Sequence, residues 1–69
     1  MKIELKVGKR IKEIREKKSI SQKDLSFSAN LDRSYIASVE NGKRNISIVN
    51  LEKIANALDV TLSELFKGI

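Results

Sequence analysis

Ser34, Ala37 and Ser38 fall on one arc of a helical wheel, with Arg33 at its edge and Ile36 and Val39 on the opposite arc. A guanidinium, two hydroxyls and a methyl presented this way suit the edges of base pairs. Arg can donate to guanine O6 and N7, Ser serves donor or acceptor edges, and Ala packs on a thymine methyl. Tyr35 lies at the rim, where a phosphate or the side of a base is in reach. Bond-making chemistry has no comparable support. The chain contains no His and no Cys, which removes the commonest general base and nearly every zinc ligand set. Ser and Lys are present, yet no pair sits at a spacing that proposes a dyad, and 69 residues leave little room for a pocket. Neither catalysis nor a cofactor or metal site is expected.

Charge points the same way. Lys and Arg number 14 against 9 Asp and Glu, a net charge of +5. Residues 1–18 carry +5, residues 19–46 carry +1 and residues 47–69 carry −1. An excess gathered at one end suits a polyanionic partner, although a solvated lysine-rich helix would give the same count. Lys9, Arg10, Lys12 and Lys23 would then add diffuse attraction, felt as salt dependence. No apolar run approaches the ~20 residues of a membrane span, and no signal-peptide core is evident. With the absence of Cys, this suggests a cytoplasmic protein and no membrane partner.

A face that reads bases needs a partner helix to hold it. Residues 1–6 read as a short arm, and residues 7–69 as one domain. Val7, Ile11 and Ile14 recur at helical spacing, predicting an amphipathic helix from Val7 to Lys18. Ser21 with Asp24 opens a second helix, Gln22 to Ala29, and Asn30 takes the reversal because Asn tolerates a left-handed backbone. Asp32 caps a third helix that runs to Glu40 and stops at Asn41-Gly42. Ser47 caps a fourth, with Ile48, Leu51, Ile54, Ala55 and Leu58 in one apolar arc. Thr61 with Glu64 starts a last short helix through Leu65 and Phe66. The reading is all-α, five helices and no sheet.

Backbone contacts follow from the same layout. Gln22 opens the second helix, where free N–H groups and the helix dipole favour a phosphate. Asn41, Lys43, Arg44 and Asn45 form a polar, basic segment able to track a sugar-phosphate backbone. Such contacts, with Tyr35, position a protein on DNA without reading its sequence.

Gln22, Leu25, Leu31, Ile36, Val39 and Glu40-Asn41-Gly42 stand where the Cro/phage-repressor (Xre-type) helix-turn-helix family has its pattern. The chain resembles that family over residues 7–66, which implies a lambda-repressor-like fold. The stretch LDRSYIASVENGKRNISIVNLEKIANALDV is similar to restriction–modification controller proteins, implying a homodimeric regulator acting at its own promoter. The resemblance puts Arg33 and Ser34 on bases and Arg44-Asn45 near the backbone. It also pairs Arg15 with Glu40 as a structural ion pair. Ser26 stands where the family usually has Ala, and Asn30 where it usually has a turn Gly; both substitutions fit the fold.

Val49 points away from the stripe of its helix and, with Thr61 and Phe66, is the expected dimer surface. A two-fold dimer would set two recognition helices about 34 Å apart and demand a pseudo-palindromic operator in double-stranded DNA. Contact with RNA polymerase is left open. So is the rival reading, a phage-type repressor or an antitoxin-like module whose main partner is a protein. The basic half of the chain and the Arg33, Ser34 and Ser38 face favour DNA.

Overall fold

The computed structural model describes Met1–Ile69 as five helices without a strand: α1 (Ile3–Lys17), α2 (Gln22–Ala29), α3 (Arg33–Glu40), α4 (Ile48–Ala57) and α5 (Leu62–Leu65). The all-α, five-helix expectation is borne out. Ile11, Leu25, Ile36, Ile54, Leu58 and Leu65 are the largest fully buried side chains, at least one from every helix or its cap. At ~1.5–3 kcal/mol for each buried aliphatic side chain, these contacts are the main support of a chain this small. α1 packs on α3 and α5, α2 on α3 and α4, and α4 on α5.

The caps follow from side chains that accept free N–H groups. Ser21 accepts from Asp24 N–H at 3.0 Å, Asp32 from Ser34 N–H at 2.9 Å, and Ser47 from Asn50 N–H at 3.1 Å. Thr61 accepts from Glu64 N–H at 3.0 Å and opens α5. Asn30 ends α2 with φ 56° and ψ 45°, the left-handed conformation its short amide tolerates.

Three expectations need correction. The amino-terminal residues are not a separate arm, because α1 starts at Ile3, four residues before Val7. Its first turn is closed by Leu5 and Lys6 N–H donating to the Lys2 carbonyl, and Leu5 lies against Gly42. Leu5 sits off the Val7–Ile11–Ile14 stripe, so periodicity alone could not recruit it. Ile48 is not core: at the first position of α4 it is 72% exposed. Phe66 lies just beyond α5 and is half-buried against the core.

Gly8 sets the closest helix crossing. A Cβ there would stand 2.1 Å from the Val39 carbonyl oxygen and 2.9 Å from that of Glu40. Only hydrogen at this position lets α1 reach the carboxyl end of α3.

Candidate nucleic-acid interface

The orientation of α3 is fixed from its carboxyl end. Ile36 and Val39 are buried at 0% and 2% exposure, so the helix cannot roll without emptying the core. Glu40 is buried beside them, and its charge is met by a forked contact from Arg15. Arg15 Nε donates to Glu40 Oε2 at 2.7 Å, and Nη2 donates to Oε1 at 3.0 Å. Nη1 of the same guanidinium donates to the Ile20 carbonyl at 2.8 Å, tying down the α1–α2 turn. The hydrogen-bonded Glu40 carboxylate holds Arg15 protonated even more firmly than an ordinary arginine, against the opposing pull of burial.

Gln22 belongs partly to this cluster. Its Nε2 donates to Glu40 Oε1 at 3.0 Å, a partner that its place at the start of α2 did not reveal. The second amide proton and the carbonyl oxygen of Gln22 are left for other ligands.

With the inner face held, Arg33 and Ser34 are exposed on the outer face, and Ala37 and Ser38 are half-buried beside them. Arg33 enters neither of the chain's two ion pairs. Ser34 is more specialised than its residue type suggests. Its hydroxyl donates to Asp32 Oδ1 at 2.9 Å, so its lone pairs, rather than its proton, face outward. Presented this way it accepts, which suits an exocyclic amine on adenine or cytosine. Ser34's amide and then its hydroxyl stabilise the charged Asp32 carboxylate, which titrates below its usual range.

The 41–45 segment stands next to this face. Asn41, Lys43, Arg44 and Asn45 are all exposed, and Gly42 turns the chain with φ 73°. The Arg44 guanidinium lies 5.5 Å from the centre of the Tyr35 ring. Tyr35 Oη in turn accepts from Asn50 Nδ2 at 3.1 Å, leaving the phenol proton free to donate. Arg44, Tyr35 and Asn50 thus form one connected rim between α3 and α4. Asn50 had no signal in the sequence, because only the fold brings α4 to Tyr35.

Other basic residues divide. Lys9, Lys12 and Lys23 are exposed. Arg10 is bound within the fold, donating to the carbonyls of Glu64 at 2.8 Å and Leu65 at 3.2 Å and pairing with Glu13. It latches α5 to α1 and is poorly placed for diffuse attraction to DNA.

The expected subunit surface is distributed differently from its sequence reading. Val49 is 60% exposed next to Ile48, while Thr61, though exposed, is engaged as a cap. Phe66 lines an apolar groove with Ile3, Val7, Ile46, Leu51 and Ile69, walled on one side by Arg44 and Asn45.

Comparison with known proteins finds helix-turn-helix regulators, restriction–modification controller proteins and a Bacillus phage immunity repressor among them. Residues 11–65 match a helix-turn-helix family model (HTH_3). The chain is 50% identical over 68 residues to control protein C.MunI of a Mycoplasma species, covering 97% of this chain and 92% of that protein. The crystal structure of the restriction–modification controller protein C.AhdI from Aeromonas hydrophila superposes with a TM-score of 0.89 at 49% identity, covering 91% of this chain and 96% of that one. A controller protein, C.Esp1396I, solved as a tetramer in complex with its natural 35 base-pair operator, superposes with a TM-score of 0.88 at 40% identity. That match covers 97% of this chain and 90% of the other.

Proposed function

Because this chain belongs to the helix-turn-helix family, as a DNA-binding transcriptional regulator of the restriction–modification controller kind, we propose that it acts as a homodimer on its own promoter. The observation that carries this reading is the outer face of α3, with Arg33 and the accepting Ser34 exposed beside Lys43 and Arg44. Arg33, Ser34, Ala37 and Ser38 read bases, and Tyr35, Gln22, Asn41, Lys43, Arg44 and Asn45 hold the backbone.

The two subunits meet through Val49, Thr61 and Phe66, joined by Ile48. An exposed Ile48–Val49 knob beside an apolar groove is what a two-fold contact uses, each copy supplying both parts. The dimer then spans a pseudo-palindromic site, and two modest half-site affinities combine through effective concentration. Bound there in the cytoplasm, the protein stands within reach of RNA polymerase. Similarity covering 97% of this chain and 92% of a controller protein favours this reading over a phage-type repressor or an antitoxin-like module.

Nuclease footprinting over the DNA directly upstream of the chain's own coding sequence tests the proposal. Paired protected patches about one helical turn apart are expected. Binding no tighter than to scrambled DNA would move the target elsewhere and favour a protein partner.

A further inference from the structure

Two hydroxyls stand on the outer face of α3, and the fold treats them differently. The Ser38 hydroxyl enters none of the hydrogen bonds that the chain's hydroxyls make, so it can turn to donate or to accept. Ser34 has its single proton committed to Asp32 Oδ1 at 2.9 Å, the same oxygen that accepts the Ser34 amide at 2.9 Å. Asp32 is exposed and enters neither of the chain's two ion pairs, so no cation competes for its charge. A carboxylate this near a polyanion opposes binding at every sequence. Its benefit to a DNA reader must therefore lie in selectivity.

We propose that Asp32 is a positioning residue for base recognition. By holding the Ser34 proton it makes Ser34 an acceptor alone, which selects the exocyclic amine of adenine or cytosine over guanine O6 or thymine O4. A hydroxyl free to rotate accepts from an amine or donates to a carbonyl, and so does not tell them apart. With the proton held, a carbonyl in place of the amine sets two oxygens against each other and leaves both unpaired. Donation to a carboxylate also polarises the hydroxyl and strengthens its oxygen as an acceptor. Arg33, the preceding residue, offers only donors. The start of α3 thus presents a donor-only group beside an acceptor-only group, while Ser38, one turn on, tolerates either edge. Exchanging the base edges that the Arg33–Ser34 pair faces mismatches both residues.

This inference rests on the reading that Ser34 contacts bases, and its test separates the two. Competition titrations use the footprinted operator with each half-site base pair replaced in turn. The position where Ser34→Ala relaxes preference is the one that Ser34 reads. Removing the amine there, with 2-aminopurine for adenine or 2-pyrimidinone for cytosine, should weaken the wild type about fivefold. Gly starts a helix nearly as well as Asp yet accepts no proton, so Asp32→Gly should fold and lose this penalty. Asp32→Asn keeps an oxygen for both bonds and should retain the penalty. Preference at the Arg33 position should survive in both variants. A wild type indifferent to the amine, or one that prefers guanine or thymine there, overturns the proposal, and this arm needs no variant to fold. So does Asp32→Gly with the full penalty, or with equal relaxation at the Arg33 position, which would leave Asp32 only a helix cap. Loss of the penalty in Asp32→Asn as complete as in Asp32→Gly overturns it too, by assigning the effect to charge. Full discrimination by Ser34→Ala at every position contradicts the base-reading role of Ser34 itself.

Discussion

Each end of α3 carries a charged residue, and the two charges are put to opposite uses. At Glu40 both carboxylate oxygens are occupied, one by Arg15 and the other by Arg15 and Gln22, and the group is 7% exposed. At Arg33, seven residues earlier, the guanidinium is exposed and enters neither ion pair. Charge at one end is consumed by the fold, and charge at the other is available to a ligand. The first therefore sets stability and the second recognition, so substitutions at the two ends should separate the two properties.

The largest effect is expected at the buried end. Arg15→Ala leaves Glu40 buried without its forked partner, and should cost about 3–5 kcal/mol in urea denaturation. A loss of no more than ~1 kcal/mol, typical of an exposed pair, would place Glu40 in effective contact with water and dissolve the contrast. Next comes Gly8→Ala, which pushes a methyl into the Val39 carbonyl at the α1–α3 crossing. It should destabilise by about 1–3 kcal/mol while leaving the affinity of the folded fraction for DNA unchanged. An affinity loss beyond the unfolded fraction would mean that the crossing also aims α3.

Arg44→Ala sharpens the exposed side of the comparison. It should weaken binding to cognate and scrambled DNA about equally and lower the slope of log affinity against log salt by roughly one. An unaltered slope would remove Arg44 from the phosphate contacts and leave it only its place over Tyr35. The smallest effect concerns Asp32. Its carboxyl titrates below the ordinary range because Ser34 stabilises the charged form, so its contribution is complete above the unfolded value near ~4. That contribution is lost as pH falls through the lower folded value. Thermal midpoints measured down through this window should fall less steeply for Asp32→Asn than for the wild type, and parallel curves would deny the charged cap.

Much of this was legible in the residues. The bounds of α2 and α3 followed from Ser21, Asn30, Asp32 and Asn41-Gly42, because caps and a left-handed Asn are local chemistry. The outward arc of α3 was legible for the same reason, since Ile36 and Val39 leave only one face free. Long-range partners were not. The Gln22–Glu40, Tyr35–Asn50 and Arg10–α5 contacts join residues 15 or more positions apart, and nothing local distinguishes them from exposed polar residues. Ile48 failed differently: it is apolar by type, yet it opens α4 and is left exposed. The extension of α1 to Ile3 depended on Leu5 finding Gly42, a contact made by tertiary proximity alone.

The most direct test of the division between the two ends of α3 is Arg33→Ala, measured for folding stability and for affinity to cognate and single-base-substituted operators. The denaturation midpoint should stay at the wild-type value, while cognate affinity falls by roughly 1–3 kcal/mol and preference relaxes at one base pair. Full discrimination retained, or a loss of affinity that tracks a loss of stability, would contradict the assignment of this end of α3 to recognition.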